Sequence, residues 1–249
     1  MNHVIETILN HRSQRAFEDK PLQPEQIRNI IESAQAASTS SFIQAYSIIG
    51  VTDPEKKRAL AELAGNQPYV EKNGHLLIFC ADLYRHTLIG RMENKDLEES
   101  LLSTEKFMVA CIDAALAAQN AAIAAESMGL GICYIGGIRN NLPEVSKLLK
   151  TPERVIPLFG MVIGTPLHVN DKKPRLPLQH VYMEEEYQQD EKAYQSGLEE
   201  YNAVISEYYQ ARTGGQRSDT WTGQMAAMLG TGRRMYMKDF VEHKGLNKK

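Results

Sequence analysis

The stretch from Phe107 to Leu130 narrows the folds open to this chain. It is the most apolar part of the sequence, and much of it is alanine, broken by Asp113, Gln119, Asn120 and Glu126. Its longest charge-free piece, Ala114 to Ala125, is too short to span a bilayer. The run therefore reads as a central buried helix over Phe107 to Met128, stopped by Gly129 and Gly131. Four apolar runs read as buried strands: Ala45 to Thr52, His75 to Ala81, Gly131 to Ile138 and Pro157 to Gly164. The third ends in a tight glycine turn.

Helical spacing fills the intervals. Met1 to His11 places Val4, Ile5, Ile8 and Leu9 on one face. A helix starts at Pro24, with Glu25 behind it, and ends in Ser38-Thr39-Ser40-Ser41. Asp53-Pro54-Glu55 opens another, closed by Gly65. Arg85 to Glu105 reads as loop, then helix, and Asn141 to Lys150 as a short helix. Four strands separated by helices give a three-layer α/β/α arrangement. The connector Lys172 to Pro177 cannot be regular helix. Beyond Asp190 the chain turns helical, with a packing stripe of Tyr194, Leu198, Tyr201, Ile205 and Tyr208. Thr213 to Asp219 interrupts it, and a last helical stretch runs from Trp221 toward Lys244. Residues 1–175 read as a core, and 176–249 as a helical extension lying across that core or across a partner subunit.

The length, 249 residues, allows one large domain or two small ones. The net charge of −3 shows no basic excess and argues against a nucleic-acid partner. Cys80, Cys111 and Cys133 lie in apolar runs without a CxxC, as reduced thiols of a cytoplasmic protein do. No HExxH or paired Cys/His spacing points to a metal. The first residues lack the apolar core of a signal peptide, and no membrane partner is expected. The nearest approach to a dinucleotide fingerprint, Gly129 to Tyr134, has Tyr where the third glycine belongs and precedes a strand instead of following one. Neither a P-loop nor a nucleophile elbow is present.

Five clusters carry chemistry, and each also has a bland reading. His11-Arg12-Ser13-Gln14-Arg15 suits phosphate contact, and equally a solvated helix end. Ser38 to Ser41 can bind a phosphate or a polyol, or simply cap and turn. Tyr134-Ile135-Gly136-Gly137 with Arg139 lets a flat ring approach the backbone, or forms a tight turn. Lys173-Pro174-Arg175 can reach an anion or lie in solvent. Arg212 and Arg217 bracket a glycine loop that suits an adenosine 2′-phosphate, or plain exposure. Together, and without acid/base machinery, they suit a phosphorylated cofactor that does the chemistry itself.

The ordered set of words resembles the oxygen-insensitive NADPH nitroreductases of the major type and the related NADPH–flavin oxidoreductases. The words are His11 to Arg15, the Ser-rich turn with Phe42 and Gln44, Ala64 to Gln67, Ala124 to Gly131, Tyr134 to Asn140, Lys173 to Pro177, and Asp219-Thr220-Trp221. The likeness covers nearly the whole chain. It implies an α+β nitroreductase fold, with a mixed, mainly antiparallel sheet flanked by helices, and an intertwined homodimer with FMN at its interface.

The resemblance also implies roles. His11, Arg12 and Ser13 lie near the FMN phosphate and ribityl chain, Gln14 is among the cofactor-binding residues, and Arg15 faces the pyrimidine end. Thr39 and Ser40 come from the other subunit, and Gln67 bonds the ring or ribityl. Tyr134, Ile135, Gly136 and Gly137 line the ring edge near N5 through backbone atoms, and Arg139 belongs to the same cofactor-binding set. Lys173 and Arg175 add positive charge, and Arg212 and Arg217 grip the NADPH 2′-phosphate. No side chain is expected to be catalytic in its own right; hydride passes through flavin N5, with Arg15 in support. The expected reaction is a ping-pong transfer of two electrons from NADPH to nitroaromatics, quinones or free flavins. Other flavin chemistry on the same fold, or non-catalytic flavin binding, is the alternative. The chain has Gln14 where the family has an aliphatic residue, and Ile132-Cys133 in place of Gly-Val.

Overall fold

The structure is a computed structural model, and it describes residues 2–249. Met1, the first residue of the expected opening helix, lies outside the described residues. Four strands form one sheet: β1 (Tyr46–Val51), β2 (His75–Asp82), β3 (Gly131–Ile135) and β4 (Val155–Gly164), in the order β1-β2-β4-β3. All three pairings are antiparallel, with Ile48 opposite Phe79, Ile78 opposite Gly160, and Cys133 opposite Val162. The sheet is antiparallel as mainly expected, but among the described residues it is not mixed, since no parallel pairing occurs. The two central strands are the most apolar. Every residue of β2 is buried, which the unbroken run HLLIFCA requires.

Helices α1 (His3–Leu9), α2 (Pro24–Gln35), α3 (Pro54–Leu63) and α4 (Pro68–Glu71) precede or flank the first two strands. The Asp53 side chain caps α3 by accepting from Glu55 N at 2.9 Å, the role its place before Pro54 suggests. The segment 84–103 holds more helix than expected, as α5 (Tyr84–Met92) and α6 (Glu98–Leu101). Its pattern is weak because tertiary bonds hold it: His86 Nε2 lies 2.9 Å from the Ile43 carbonyl oxygen. Arg154 donates to Thr87 Oγ1 at 2.7 Å and pairs with Glu98.

The long helix α7 (Thr104–Ser127) starts three residues before the expected Phe107, because Ser103 caps it by accepting from Lys106 N at 3.2 Å. It stops where Gly129 turns to φ 77°. At 24 residues it is long and apolar enough to cross a membrane by length and composition, although its charge-free piece is short. Here one face is buried, and Ala117, Ala118, Ala121, Ala122 and Ala125 on it pack against β2, β4 and α2. Side chains this small let the helix axis lie close to the sheet, where Leu77, Phe79 and Met161 supply the bulk. The opposite sheet face packs on α3, α4 and α8 (Leu142–Leu149) through Leu60, Val70, Ile78 and Val145. Burying each such large side chain is worth about 1.5–3 kcal/mol.

Strand β3 ends at Ile135, three residues short of the expected Ile138, and Gly136–Asn140 forms a 3-10 turn. Strand pairing stops at Ile135 opposite Gly160. Arg139 then donates to the Leu158 carbonyl, and Tyr236 Oη donates to the Arg139 carbonyl at 2.8 Å. Such partners are invisible to local sequence.

By its contacts the chain divides into two compact units. The first holds the sheet and runs to Asn170, then resumes at Arg234. It therefore includes α11 (Met237–His243), preceded by α9 (Glu191–Thr213) and α10 (Trp221–Leu229) in the second unit, Asp171–Arg233. The sequence reading has one extension over 176–249. In the structure its last residues return to the first unit, where Val241 and Leu246 are buried beside Leu101, Val109 and Ile156. The stretch from Trp221 toward Lys244, expected to be one helix, is broken between Leu229 and Met237, where Gly230 and Gly232 weaken it and Arg234 takes φ 59°.

In the second unit Tyr201, Ile205 and Tyr209 form the buried stripe of α9, with Tyr208 half-buried beside it. Of the expected stripe, Tyr201 and Ile205 are buried, Tyr194, Leu198 and Tyr208 are half-buried, and Tyr209 takes the buried position expected of Tyr208. The proline-rich connector is free of regular helix over 172–177.

Candidate active site

Strand β3 and the segment before α2 build the centre of the site. Gln14 N donates to the Ile132 carbonyl at 2.8 Å, which lays His11–Arg15 along β3. Asn170 Nδ2 donates to the Ser13 carbonyl at 2.9 Å and fixes the same segment from the far side. Beside it, the Cys133 thiol, which donates to the Tyr134 carbonyl at 3.6 Å, has Ser13 and Arg15 as neighbours, and Arg15 also lies near the Tyr69 phenol. Burial pushes the Cys133 thiol up from its ordinary value, and Arg15 offsets part of the rise, so the group is a neutral thiol at pH 7. Burial raises the Tyr69 phenol as well.

Tyr69 Oη donates to Gln67 Oε1, and Gln67 Nε2 donates to the Ala64 carbonyl at 2.6 Å. Against that loop lies Gly137. A Cβ there would fall 2.7 Å from Gln67 Nε2 and nearer still to the Ala64 carbonyl oxygen. Only glycine fits where the 3-10 turn crosses the loop. Ser13, Arg15, Gln67 and Gly137, far apart in sequence, thus meet around Tyr69 and Cys133. The donors are a guanidinium, a hydroxyl and an amide beside a glycine backbone, a set that fits a flat, phosphorylated ring such as FMN.

Arg12 and Gln14 open into a neighbouring cavity of about 440 Å³ that is also lined by Glu6, Glu126 and Gly131. Gln14 is buried, and its Oε1 has no hydrogen-bond partner, so an acceptor is left over at this point. Gln14 also packs on Gly131, where a Cβ would meet its Cγ at 2.6 Å. His11 Nδ1 lies 2.7 Å from Glu126 Oε1, so its outward face is set by an acid at the end of α7.

Other expected residues are engaged elsewhere. The Arg139 guanidinium donates to the Leu158 carbonyl and lies beside Gly136, where a Cβ would meet its Nη2 at 3.4 Å. Burial and nearby Arg234 lower its pKa from the ordinary value. Tyr134 lies edge-on to Phe159 at 5.7 Å, and its Oη donates to Gln119 Oε1 at 3.4 Å. Burial raises that phenol strongly. Ile135 is buried in the core and can offer a ligand only backbone, whereas the Tyr134 side chain is exposed. Thr39 and Ser40 border a short turn in which Ser41, Phe42 and Gln44 take positive φ. The wholly buried Asp113 of α7 ties this turn down by accepting from Ser40 N and Ala45 N, each at 3.0 Å. Sequence reasoning marked Asp113 only as a charge inside an apolar run; a lone acid among buried alanines is itself the signal that it has backbone donors to satisfy.

The remaining cations lie in the second unit. Lys173 Nζ donates to Tyr209 Oη at 2.9 Å, and the Arg217 guanidinium carbon sits 4.3 Å from the centre of the same ring. Arg212 donates to Tyr208 Oη at 3.1 Å. Arg175 lies near Tyr201, whose Oη donates to the Pro174 carbonyl at 3.0 Å. Tyr201 and Tyr208 belong to the stripe that the spacing marks as packing, whereas Tyr209, which meets both Lys173 and Arg217, lies outside that stripe. No group of His, Cys, Asp or Glu suited to a metal occurs among the described residues.

Comparison with known proteins extends over the whole chain. The profile described as "Nitroreductase family" matches residues 8–165, and "Nitroreductase family, C-terminal domain" matches 173–249. The chain is 56% identical over 248 residues to the "FMN reductase (NADPH)" of Bacillus subtilis, covering all of both sequences. The structure of B. megaterium NfrA1 superimposes with a TM-score of 0.98 at 66% identity, over 99% of this chain and all of the other. The NADPH:FMN oxidoreductase from Vibrio harveyi, solved with NAD+, superimposes with a TM-score of 0.87 at 39% identity over the full length of both. With both profiles matched and the likeness spanning the whole chain, this protein belongs to the nitroreductase family.

Proposed function

We propose that the chain is an FMN-dependent NADPH oxidoreductase that passes two electrons to nitroaromatics, quinones or free flavins, and that it works as a cytoplasmic homodimer. The observation that carries this reading is the convergence of Ser13, Arg15, Gln67 and Gly137 on one spot. Full-length likeness to an FMN reductase (NADPH) supports it. When bound, FMN supplies the redox chemistry, accepting hydride from NADPH and passing two electrons on in a ping-pong cycle.

The protein's share is placement and charge. Arg12, Ser13 and His11 hold the phosphate and ribityl end, with Gln14 Oε1 as a free acceptor. Arg15 supplies positive charge to the pyrimidine end, and Gln67 bonds the ring or ribityl. The backbone of Tyr134 to Gly137 lies along the ring edge. Lys173 and Arg175 add positive charge for the flavin, and Arg212 and Arg217 serve the nucleotide 2′-phosphate. Thr39 and Ser40 contribute to the flavin of the partner subunit. The homodimer is supported by apolar side chains left exposed on α1 (Val4, Ile5, Ile8) and α7 (Met108, Ile112, Leu116). The free, mostly buried cysteines suit a reducing compartment.

An anaerobic absorbance spectrum tests the reading. A flavin band that bleaches rapidly with NADPH, more slowly with NADH, and returns on adding a quinone or nitroaromatic is the expected result. A protein that stays colourless after incubation with FMN, or whose flavin ignores both nucleotides, would overturn it.

A further inference from the structure

The second unit holds an arrangement that goes beyond this assignment of roles. Tyr209 is buried on α9 and meets two cations in different ways. Its hydroxyl accepts from Lys173 Nζ at 2.9 Å and donates to Gln224 Oε1 at 3.2 Å. Its ring faces Arg217, with the guanidinium carbon 4.3 Å from the ring centre, inside the range of cation–π attraction. Lys173 Nζ lies 5.2 Å from the same centre.

The backbone closes the circle. Thr213 Oγ1 donates to the Tyr209 carbonyl at 2.7 Å and accepts from Arg217 N at 2.9 Å. The loop between them turns through Gly214 and Gly215, both at positive φ. Asp219 holds the Arg217 Nε at 2.7 Å. The Lys173 hydrogen bond, ahead of every other influence, holds the Tyr209 phenol below its ordinary value.

We propose that Tyr209 is a positioning residue that sets Lys173 with its hydroxyl and Arg217 with its ring. One side chain thereby orients both the cation assigned to the flavin and the cation assigned to the nucleotide 2′-phosphate. The inference rests on the roles proposed above for Lys173 and Arg217. Two cations on one ring repel each other, and the phenol oxygen and π face offset that cost. The two halves of the role are chemically separable. Tyr209→Phe removes the hydroxyl's bonds to Lys173 and Gln224 and keeps the ring for Arg217. Tyr209→Leu removes both.

The test measures FMN dissociation by fluorescence and NADP+ binding by calorimetry on FMN-loaded protein, for wild type, Tyr209→Phe, Tyr209→Leu, Lys173→Met and Arg217→Ala. Tyr209→Phe is expected to weaken FMN binding about fivefold, the scale of one hydrogen bond to a charged group, with NADP+ affinity within about twofold of wild type. Tyr209→Leu is expected to weaken both ligands. In a Lys173→Met background, Tyr209→Phe should have no further effect on FMN, because the hydroxyl acts through that lysine. If Lys173→Met leaves FMN binding unchanged and Arg217→Ala leaves NADP+ binding unchanged, the underlying roles fail. If those two variants respond as assigned while Tyr209→Phe binds FMN like wild type, or loses NADP+ affinity as fully as Tyr209→Leu, the positioning role is overturned.

Discussion

At Gly137 a missing side chain does the work. The 3-10 turn passes so close to the Ala64–Gln67 loop that a methyl group would overlap its backbone. Gly137→Ala must push the two apart, at about 1–3 kcal/mol of overpacking. We expect this variant to fold, melt at a lower temperature and be purified with little flavin, and the ratio of flavin to protein absorbance reads it. A full flavin complement would separate Gly137 from the cofactor. His75 makes a second residue-scale prediction. Burial, then the nearby charge of Lys57, lower its pKa from the ordinary 6.5. The folded state therefore binds this proton less readily than the unfolded state. Stability is complete above the ordinary value and declines as pH falls below it, levelling off once the folded group also protonates. The thermal midpoint of wild type should drop between about pH 7.5 and pH 5.5, and that of His75→Gln should drop less.

Helix α7 shows how an element can serve two surfaces. Its alanines approach the sheet, and Asp113 on the same buried side secures the Ser40–Ala45 turn. On the outside, Met108, Ile112 and Leu116 follow at four-residue intervals and are 52%, 51% and 45% exposed. A stripe of this kind on a core helix fits a second copy of the chain. Ile112→Glu places a charge at the middle of the stripe and touches nothing in the buried face. Sedimentation should show wild type as a dimer and Ile112→Glu shifted to monomer with its helix content intact. An unshifted dimer would place the interface elsewhere. Legibility from sequence also varied by element. The edges of α2, α3 and β2 could be read because caps, prolines and continuous apolar runs are local signals. Helices α5 and α6 could not, since Arg154 and Ile43 hold them from other parts of the chain.

For the molecule as a whole, the last residues matter more to the sheet unit than their place at the chain end suggests. Leu246 is fully buried among Leu101, Leu142 and Ile156, and Thr104 N donates to the Lys249 carbonyl at 2.7 Å at the start of α7. Leu246→Ala should cost about 2–5 kcal/mol, seen as a lower urea midpoint. A loss below about 1 kcal/mol would mean that this segment is not part of the cooperative core.

Sequence by itself determined the elements whose signals are local: the alanine helix, the four strands, the capped helices and the proline-rich connector. Its ordered words also led to the nitroreductase family, since short words read in order survive without any knowledge of contacts. Tertiary structure alone decided which side chains meet. His11 finds Glu126 across 115 positions, Ser40 finds Asp113 across 73, and Lys173 finds Tyr209 across 36. Arg139, part of the glycine turn, also reaches the Leu158 carbonyl, a partner that its local sequence does not mark. A buried or half-buried polar group must satisfy its hydrogen bonds with whatever packing brings near, and no local pattern records that choice.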